Sequence, residues 1–286
     1  MITTGTKVAV TGGRGFIGGH LVDALKKRGA EVFIVDAKDG HEIQNTAILT
    51  SILHGVEYVF HCAAIPRVQY SIEHPMETND ANIDGTLSVL VAARDAGVKR
   101  VIYSASSSAY GNQETMPLRE DMPAHPISPY ALQKYVGELY AKLFSEVYGL
   151  STVSLRYFNV FGPGVDPTGA YASVIARFID QKKKGETFTV VGDGTQTRDF
   201  VHVRDVVQAN ILAAESDTVG TGEVINIGTG KGVSVNEIAA LVGGEVTYIE
   251  PRIEPHDSIA DISLAKALLG WAPQVGMKEG IDELLS

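Results

Sequence analysis

Short runs of apolar, often β-branched residues alternate in the first half of the chain with longer segments whose apolar residues recur at helical spacing. Such runs predict strands, and the longer segments predict helices. The predicted strands cover residues 7–10, 31–35, 56–60, 100–104 and 152–156. The predicted helices cover residues 16–28, 45–53, 81–96 and 129–148. Regular alternation predicts an α/β fold of the Rossmann type, a doubly wound parallel sheet with helices on both faces.

After about residue 160 the pattern becomes less regular. Helices are predicted at 172–184 and 205–214, and strands at 188–191, 223–227 and 245–249. We predict that residues 1–160 and parts of 186–230 form the Rossmann domain. Residues 161–185 and 231–286 are predicted to form a smaller, discontinuous α/β lobe.

Composition and charge narrow the classes of function. The 286 residues include 44% hydrophobic and 20% charged residues, an ordinary globular balance. A net charge of −10 disfavours nucleic acid as a partner, since nucleic-acid binders usually present a basic face. The single cysteine, Cys62, excludes an intramolecular disulfide, and the scattered histidines give no support for a metal site. Because no long apolar run or signal-peptide pattern appears, we expect a cytoplasmic protein without a membrane partner.

The strongest local motif is a glycine-rich turn with Gly12, Gly15 and Gly18 at three-residue spacing. The turn follows a predicted strand and opens a predicted helix, as in dinucleotide-binding Rossmann folds. The glycines let backbone N–H groups approach a pyrophosphate at the helix N-terminus. Asp36 ends the next strand, where its carboxylate would accept bonds from a ribose diol and repel a ribose phosphate. The motif therefore predicts NAD rather than NADP as the cofactor.

A second motif places Tyr130 and Lys134 four residues apart near the start of the long predicted helix. Residues at this spacing share a helix face, so the ammonium can lie beside the phenol and lower its pKa. Alone, the pair is typical of any amphipathic helix. A serine run at 106–108 and the glycine-rich turn make a catalytic pair the favoured interpretation. Five residues at helical spacing predict an apolar face for the same helix: Leu132, Val136, Leu139, Leu143 and Val147.

With these motifs the chain resembles the extended short-chain dehydrogenase/reductase superfamily. More narrowly, it is similar to NAD-dependent nucleotide-sugar epimerases of the UDP-hexose 4-epimerase type. The similarity runs from Val8 to about Pro273. The motifs that carry it are TGGRGFIGG (11–19), HCAA (61–64), NIDGT (82–86), SASSSAYG (104–111), SPYALQK (128–134), RYFNVFGP (156–163), GDGTQTRDFVHVRD (192–205) and ADISLAKALLGW (260–271).

The resemblance implies roles for individual residues. Tyr130 is the expected acid/base, Lys134 binds the nicotinamide ribose and lowers the tyrosine pKa, and Ser106 is the catalytic serine. The implied cofactor contacts are Gly12, Gly15, Phe16, Ile17, Gly18, Asp36, Glu42, Ile43, Ala63, Ala64, Asn82, Ser104, Tyr130 and Lys134. The implied substrate contacts are Ser106, Ser107, Ser108, Tyr130, Asn159, Arg198, Arg252 and Ser258. For Asn82, a capping or packing role is the alternative.

Two departures from related enzymes favour one reaction. Sugar 4,6-dehydratases and UDP-glucuronate decarboxylases carry acids where this chain has Ser107 and Ser108, so simple epimerisation is expected. Epimerases restricted to plain hexoses have a bulky tyrosine where this chain has Ser258. The small side chain implies acceptance of UDP-GlcNAc and UDP-GalNAc as well as UDP-glucose and UDP-galactose.

Three alternatives remain open from the sequence. One is another nucleotide-sugar epimerase, such as a UDP-glucuronate 4-epimerase, and another is a nucleotide-sugar reductase. The third is a non-catalytic NAD-binding regulatory protein. The resemblance also implies a homodimer that pairs the helices predicted at 81–96 and 129–148.

Overall fold

The structure, a computed structural model, describes residues 1–165, 173–250 and 257–286. Its strands are β1 (Lys7–Thr11), β2 (Glu31–Val35), β3 (Tyr58–His61), β4 (Arg100–Ser106), β5 (Thr152–Tyr157), β6 (Val160–Phe161), β7 (Phe188–Val191), β8 (Thr197–Asp199), β9 (Val201–His202), β10 (Thr221–Ile227), β11 (Gly232–Ser234), β12 (Val246–Ile249) and β13 (Asp257–Ser258). Its α-helices are α1 (Phe16–Lys27), α2 (Thr46–Leu53), α3 (Val68–Glu73), α4 (Pro75–Asn79), α5 (Gly85–Asp95), α6 (Pro129–Tyr148), α7 (Val174–Lys184), α8 (Val203–Glu215), α9 (Val235–Val242), α10 (Ser263–Leu269) and α11 (Met277–Leu285).

Six parallel strands form the main sheet in the order β10-β5-β4-β3-β1-β2. This is the Rossmann-type sheet that the alternation predicted. The order departs from the standard doubly wound arrangement in having one strand, not two, outside β1 on the β2 side. The reason is the short connection between β2 and β3, which has room for α2 but forms no strand outside β2.

The main sheet is covered on both faces, as alternation within β1 shows. Val8 and Val10 point into a core shared with α1, α8 and α10, and Ala9 points into a second core shared with α2, α5 and α6. Since successive strand residues face opposite sides, both faces of this central strand are buried. Such two-sided burial explains why the strands are apolar without a polar alternation.

Smaller sheets are built from the chain after β5. They comprise β7 with β12, β8 between β11 and β13, and β6 with β9. A third apolar core lies under them, where the rings of Phe178 and Phe188 stack with centroids 4.8 Å apart. The predicted division into two domains stays a prediction.

The apolar face predicted for α6 points away from the sheet. Leu139 and Leu143 are 48% and 46% exposed, whereas small residues such as Gly137 and Ala141 pack inward. Small residues are needed there because the helix lies close against β4, and a Cβ at Gly137 would approach the Tyr103 Oη to 2.2 Å.

The helix predicted at 81–96 is also more complex than expected. A π-helical turn, Asp80–Asp84, precedes α5 and contains Asn82. In the part of the chain that the structure describes, no helix is both long and apolar enough to cross a membrane.

Candidate active site

The glycine-rich turn between β1 and α1 is shaped for close backbone approach. Gly12 has a φ of +69°, and a Cβ there would lie 2.7 Å from the Ala63 backbone nitrogen. A Cβ on Gly18 would lie 2.2 Å from the Gly12 carbonyl oxygen, so only glycine lets α1 start this close to the turn. Gly15 caps α1 without a side chain, which leaves the first N–H groups of the helix directed outward. This turn fits a dinucleotide pyrophosphate.

Asp36 lies at the end of β2 beside this turn and is almost fully buried. Its two carboxylate oxygens accept bonds from the backbone N–H groups of Arg14 at 2.9 Å and Lys38 at 3.0 Å. Each oxygen keeps a lone pair for a further donor. The carboxylate is therefore fixed where the sequence predicted a contact with the adenosine ribose.

Glu42 and Ile43, both predicted cofactor contacts, occupy different environments. Glu42 is exposed, whereas Ile43 is buried against the first residue of α5, where a Cβ on Gly85 would come within 2.5 Å of its Cδ1. Phe16 and Ile17 open α1, and Ile17 packs against the core. Their contacts with a cofactor stay predictions.

Asn82 is held entirely by protein groups in the structure. Its Oδ1 accepts from the Ile65 backbone N–H at 2.8 Å, and its Nδ2 donates to the Ile65 carbonyl and to Gln133 Oε1. These bonds tie the loop after β3, which contains Ala63 and Ala64, to α6. They favour the packing role that the sequence left open for Asn82.

His61, the first residue of the HCAA motif, is a buried residue of the site for which the sequence predicted no role. Thr86 donates its single hydroxyl hydrogen to the Asn82 carbonyl, so it must accept from His61 Nε2 at 3.0 Å. His61 Nδ1 then accepts from the Thr11 hydroxyl at 2.7 Å, and Thr11 Oγ1 accepts from the Ala63 N–H. Burial, with a smaller effect of nearby positive charge, lowers the His61 pKa to about 3. A neutral imidazole thus links β1, β3 and α5 below the glycine-rich turn.

The start of α6 fixes the position of Tyr130. Ser128 caps the helix by accepting from the Ala131 N–H at 3.2 Å, and Pro129 occupies the first helical position. The Tyr130 N–H, which has no partner within the helix, donates to the Ser71 hydroxyl at 3.0 Å. The helix runs from Pro129 to Tyr148, as the sequence predicted.

Ser106 and Tyr130 are brought together. Ser106 Oγ accepts from the Ser108 N–H at 3.2 Å and from the Ser108 hydroxyl at 2.8 Å, which leaves its own hydrogen to donate elsewhere. Burial raises the pKa of Tyr130, and the hydrogen bond from Ser106 acts in the opposite direction. The serine thus favours the phenolate, while the further lowering expected from Lys134 stays a prediction.

Lys134 is buried one helical turn after Tyr130. Its Nζ lies 4.4 Å from the centroid of the Tyr103 ring on β4. Burial lowers its pKa from 10.5 to about 8, and the nearby Cys62 and Glu138 act in the opposite direction. Glu138 forms a buried, two-bond ion pair with Arg156 at 2.9 and 2.7 Å.

The carboxyl ends of β4 and β5 lie side by side, since Ser106 is the register partner of Tyr157. Asn159 follows β5 by two residues and therefore lies at the same sheet edge as the serine loop. Ser107 and Ser108 form the turn after β4. Ser104 lies within the strand, where its hydroxyl bonds to the Tyr157 hydroxyl at 3.2 Å and to Cys62 Sγ at 3.3 Å.

The predicted substrate residues beyond β5 also converge. Asn159 Nδ2 donates to the Asp199 carbonyl at 2.9 Å, next to Arg198 on β8. Ser258 on β13 is the register partner of Arg198. Asp199 is buried and accepts from backbone N–H groups of three residues, which fixes this corner: Thr229, Gly230 and Ala260. Arg252 lies outside the described residues.

Comparison with known proteins agrees with this geometry. The model of the NAD dependent epimerase/dehydratase family matches residues 8–228. The chain belongs to this family. The resemblance drawn from the motifs is thereby confirmed.

Relatives in the epimerase/dehydratase family cover nearly the whole chain. A putative UDP-glucose 4-epimerase of Methanocaldococcus jannaschii is 38% identical over 98% of this chain and 97% of its own. One similar structure is that of a UDP-N-acetylglucosamine 4-epimerase from Methanobrevibacter ruminantium M1 in complex with UDP-N-acetylmuramic acid. It superimposes with a TM-score of 0.93 at 38% identity, and the match covers 99% of this chain and 98% of that one. A Thermotoga maritima UDP-glucose 4-epimerase with UDP-glucose gives a TM-score of 0.92 at 39% identity, covering 98% and 97%. The predicted α/β fold is confirmed.

Several buried residues of this epimerase/dehydratase site were missed from the sequence. Ser71, Tyr103 and Gln133 contact the predicted site residues, yet each lies within an ordinary strand or helix pattern. Gln133 gave one usable signal. It is a polar residue three positions after Tyr130, and residues at that spacing share a helix face.

Proposed function

We propose that this chain is an isomerase, a UDP-sugar 4-epimerase that uses NAD. The observation that carries the proposal is that the turn after β4, which begins at Ser106, packs against the helix that carries Tyr130. Beside these residues lie the glycine-rich turn and Asp36, which fit a dinucleotide, and behind them lies the buried ammonium of Lys134. Similarity to UDP-sugar 4-epimerases along the whole chain supports the reaction class.

Different residues of the chain bind the ligands and transfer the proton. Residues 12–18 and Asp36 would hold the pyrophosphate and adenosine ribose, and Lys134 the nicotinamide ribose. When bound, NAD takes up a hydride and gives it back within each turnover, so no net oxidation results. Tyr130, as phenolate, takes the proton of the sugar 4-hydroxyl directly or through Ser106, and returns it after the 4-keto sugar has turned over. Asn159 and Arg198 keep the UDP in place during that rotation.

Replacing Tyr130 with phenylalanine tests this assignment. We expect Tyr130→Phe to lower kcat by about 10²–10⁴-fold, because the general base is lost while the ring is kept. Bound NAD, measured after denaturation of the purified protein, should be unchanged. Tyr135→Phe on the same helix is the matched control and should keep full activity. Unaltered epimerisation by Tyr130→Phe with NAD in place would disprove the proposal.

For the substrate, we propose UDP-glucose and UDP-galactose together with UDP-GlcNAc and UDP-GalNAc. Ser258 supports this range, since a small side chain beside Arg198 leaves space for a 2-acetamido group. We expect Ser258→Tyr to lower kcat/KM for UDP-GlcNAc at least about tenfold relative to UDP-glucose, and Ser258→Ala to keep both. If Ser258→Tyr leaves the ratio unchanged, the position does not select the substrate.

A panel of UDP-glucose, UDP-GlcNAc and UDP-glucuronate separates the remaining reactions. Formation of the 4-epimer of UDP-glucuronate alone would indicate a UDP-glucuronate 4-epimerase. Steady consumption of NADH or NADPH, followed by absorbance, would indicate a reductase. Failure to convert any of the sugars, with NAD bound, would favour a non-catalytic regulatory protein. Ser107 and Ser108, which replace the acids of dehydratases, support epimerisation.

We also propose that the chain is a homodimer of the cytoplasm. The outward leucine stripe of α6 supports the dimer, since Leu132, Leu139, Leu143 and Val147 are each about half exposed. A contiguous apolar strip of this kind usually marks a protein interface. Cell fractionation would test the location.

A further inference from the structure

We propose that Tyr103 is a positioning residue that holds the Lys134 ammonium on the face of its ring and leaves the N–H donors of Lys134 for the ligand. The contact itself is seen in the structure, and its value for epimerisation rests on the function proposed above. Aromatic rings attract cations through the negative potential of their faces, most strongly where water is excluded.

The geometry is that of a cation above an aromatic face. Lys134 Nζ lies 4.4 Å from the ring centroid, and both side chains are buried, at 3% and 0% exposure. The Tyr103 hydroxyl donates to the Lys134 carbonyl at 3.3 Å, so the ring is tied to the same turn of α6. Gly137 makes room for it, because a Cβ there would overlap the phenol oxygen.

A second, neutral group also lies near the ring. The His61 imidazole lies 5.5 Å from the Tyr103 ring between centroids, and its hydrogen bonds to Thr11 and Thr86 fix it in place. Because burial lowers the His61 pKa to about 3, no second cation competes for the ring. Tyr103 is thus a rigid support, not a side chain free to follow the lysine.

The other charged groups near the lysine act on it through their charge and not through a hydrogen bond. Among the described residues, no side chain accepts a hydrogen bond from Lys134 Nζ. Glu138 lies one turn along the helix and its charge favours the ammonium, but its two oxygens accept hydrogen bonds from Arg156. Burial raises the pKa of the Cys62 thiol, which disfavours a thiolate partner for the ammonium. The ring stabilises the ammonium and, unlike a carboxylate partner, directs no hydrogen-bond acceptor at it.

The test weakens the ring's potential without changing its shape. Two variants of the full-length protein carry phenylalanine or 3,4,5-trifluorophenylalanine at position 103. In each protein the lysine side-chain nitrogens are labelled, and the titration of the Lys134 ammonium is followed by NMR. We expect Tyr103→Phe to titrate like the parent, because the aromatic face is kept. The trifluoro variant should titrate at lower pH by about one unit, and the alkaline limb of the epimerisation pH profile should move with it.

A matched control separates electrostatics from packing. Trifluorophenylalanine at Phe60 introduces the same fluorines into a fully buried ring of the other core and should leave the Lys134 titration unchanged. The proposal is overturned if the pKa of Lys134 is the same with and without fluorines on the ring at position 103. Because this titration needs no substrate, an enzyme inactive on every UDP-sugar would refute the proposed function but leave the cation–π contact testable.

Discussion

His61 shows how a single buried residue connects the site to the stability of the protein. Its two hydrogen-bonding partners, Thr11 and Thr86, fit a neutral ring, and burial lowers its pKa from 6.5 to about 3. In the unfolded chain the ring would bind a proton below pH 6.5, while the folded protein would not. The unfolded state therefore gains stability as pH falls from 6.5 towards 3.

We predict that the free energy of unfolding falls by about 2 kcal/mol between pH 7 and pH 5 through His61 alone. His61→Gln keeps one donor and one acceptor but cannot titrate, so the fall over this range should be smaller by about that amount. Urea unfolding at both pH values measures the difference. Equal pH dependence in the parent and in His61→Gln would show that the ring titrates normally in the fold. His54→Gln, on the exposed end of α2, is the control and should behave like the parent.

At the scale of the residue, the sequence predicts which residues lie together where one local pattern contains them. Gly12, Gly15, Gly18 and Asp36 are adjacent to one another because strand, turn and helix follow directly in the chain. Tyr103 could not be found in this way. Its contact with Lys134 joins β4 to α6 and depends on how the helix packs across the sheet, which no local pattern encodes.

At the scale of the element, the start of α1 tolerates no side chain at one glycine but accepts one at the next. A Cβ on Gly18 would overlap the Gly12 carbonyl, a backbone atom that cannot move aside. The nearest atom to a Cβ on Gly19 is the Gly13 carbonyl oxygen at 3.8 Å, an ordinary contact.

We therefore predict opposite effects of two neighbouring substitutions. Gly18→Ala should push α1 off the turn, reduce bound NAD below detection and lower the melting temperature. Gly19→Ala should keep NAD and stabilise the protein by up to about 1 kcal/mol, since alanine is the better helix former. The melting temperature and the amount of bound NAD are measured for both variants and compared with those of the parent protein. Retention of NAD by Gly18→Ala would show that the turn can rearrange.

Among the elements, α6 was predicted to the residue because its ends carry strong local signals: Ser128, Pro129 and Gly149. Its orientation was not predictable from the same residues. An apolar stripe shows that a helix has an apolar face, but not whether the face meets the protein's own core or another chain. The missing outer strand beside β2 likewise depends on connection length and not on any local pattern.

For the whole molecule, the outward stripe of α6 poses the question of what covers it. The inward face of α6 already packs on the sheet through Ala131, Ala141 and Phe144, so the stripe is a second apolar face on one helix. An apolar face that remains after a helix has packed on its own sheet is expected to be covered by another surface. The same helix carries Tyr130 and Lys134, so an interface on its outer face would also hold the site rigid.

We predict that Leu139→Glu with Leu143→Glu converts a dimer into a monomer, because two buried carboxylates without partners would oppose each other across the two-fold axis. Sedimentation velocity measures the mass directly. Leu241→Glu on α9, also partly exposed, is the matched control and should stay dimeric. If the parent protein sediments as a monomer, the stripe is not a dimer interface. Loss of activity in the monomer, with NAD retained, would show that the interface supports the first turns of α6.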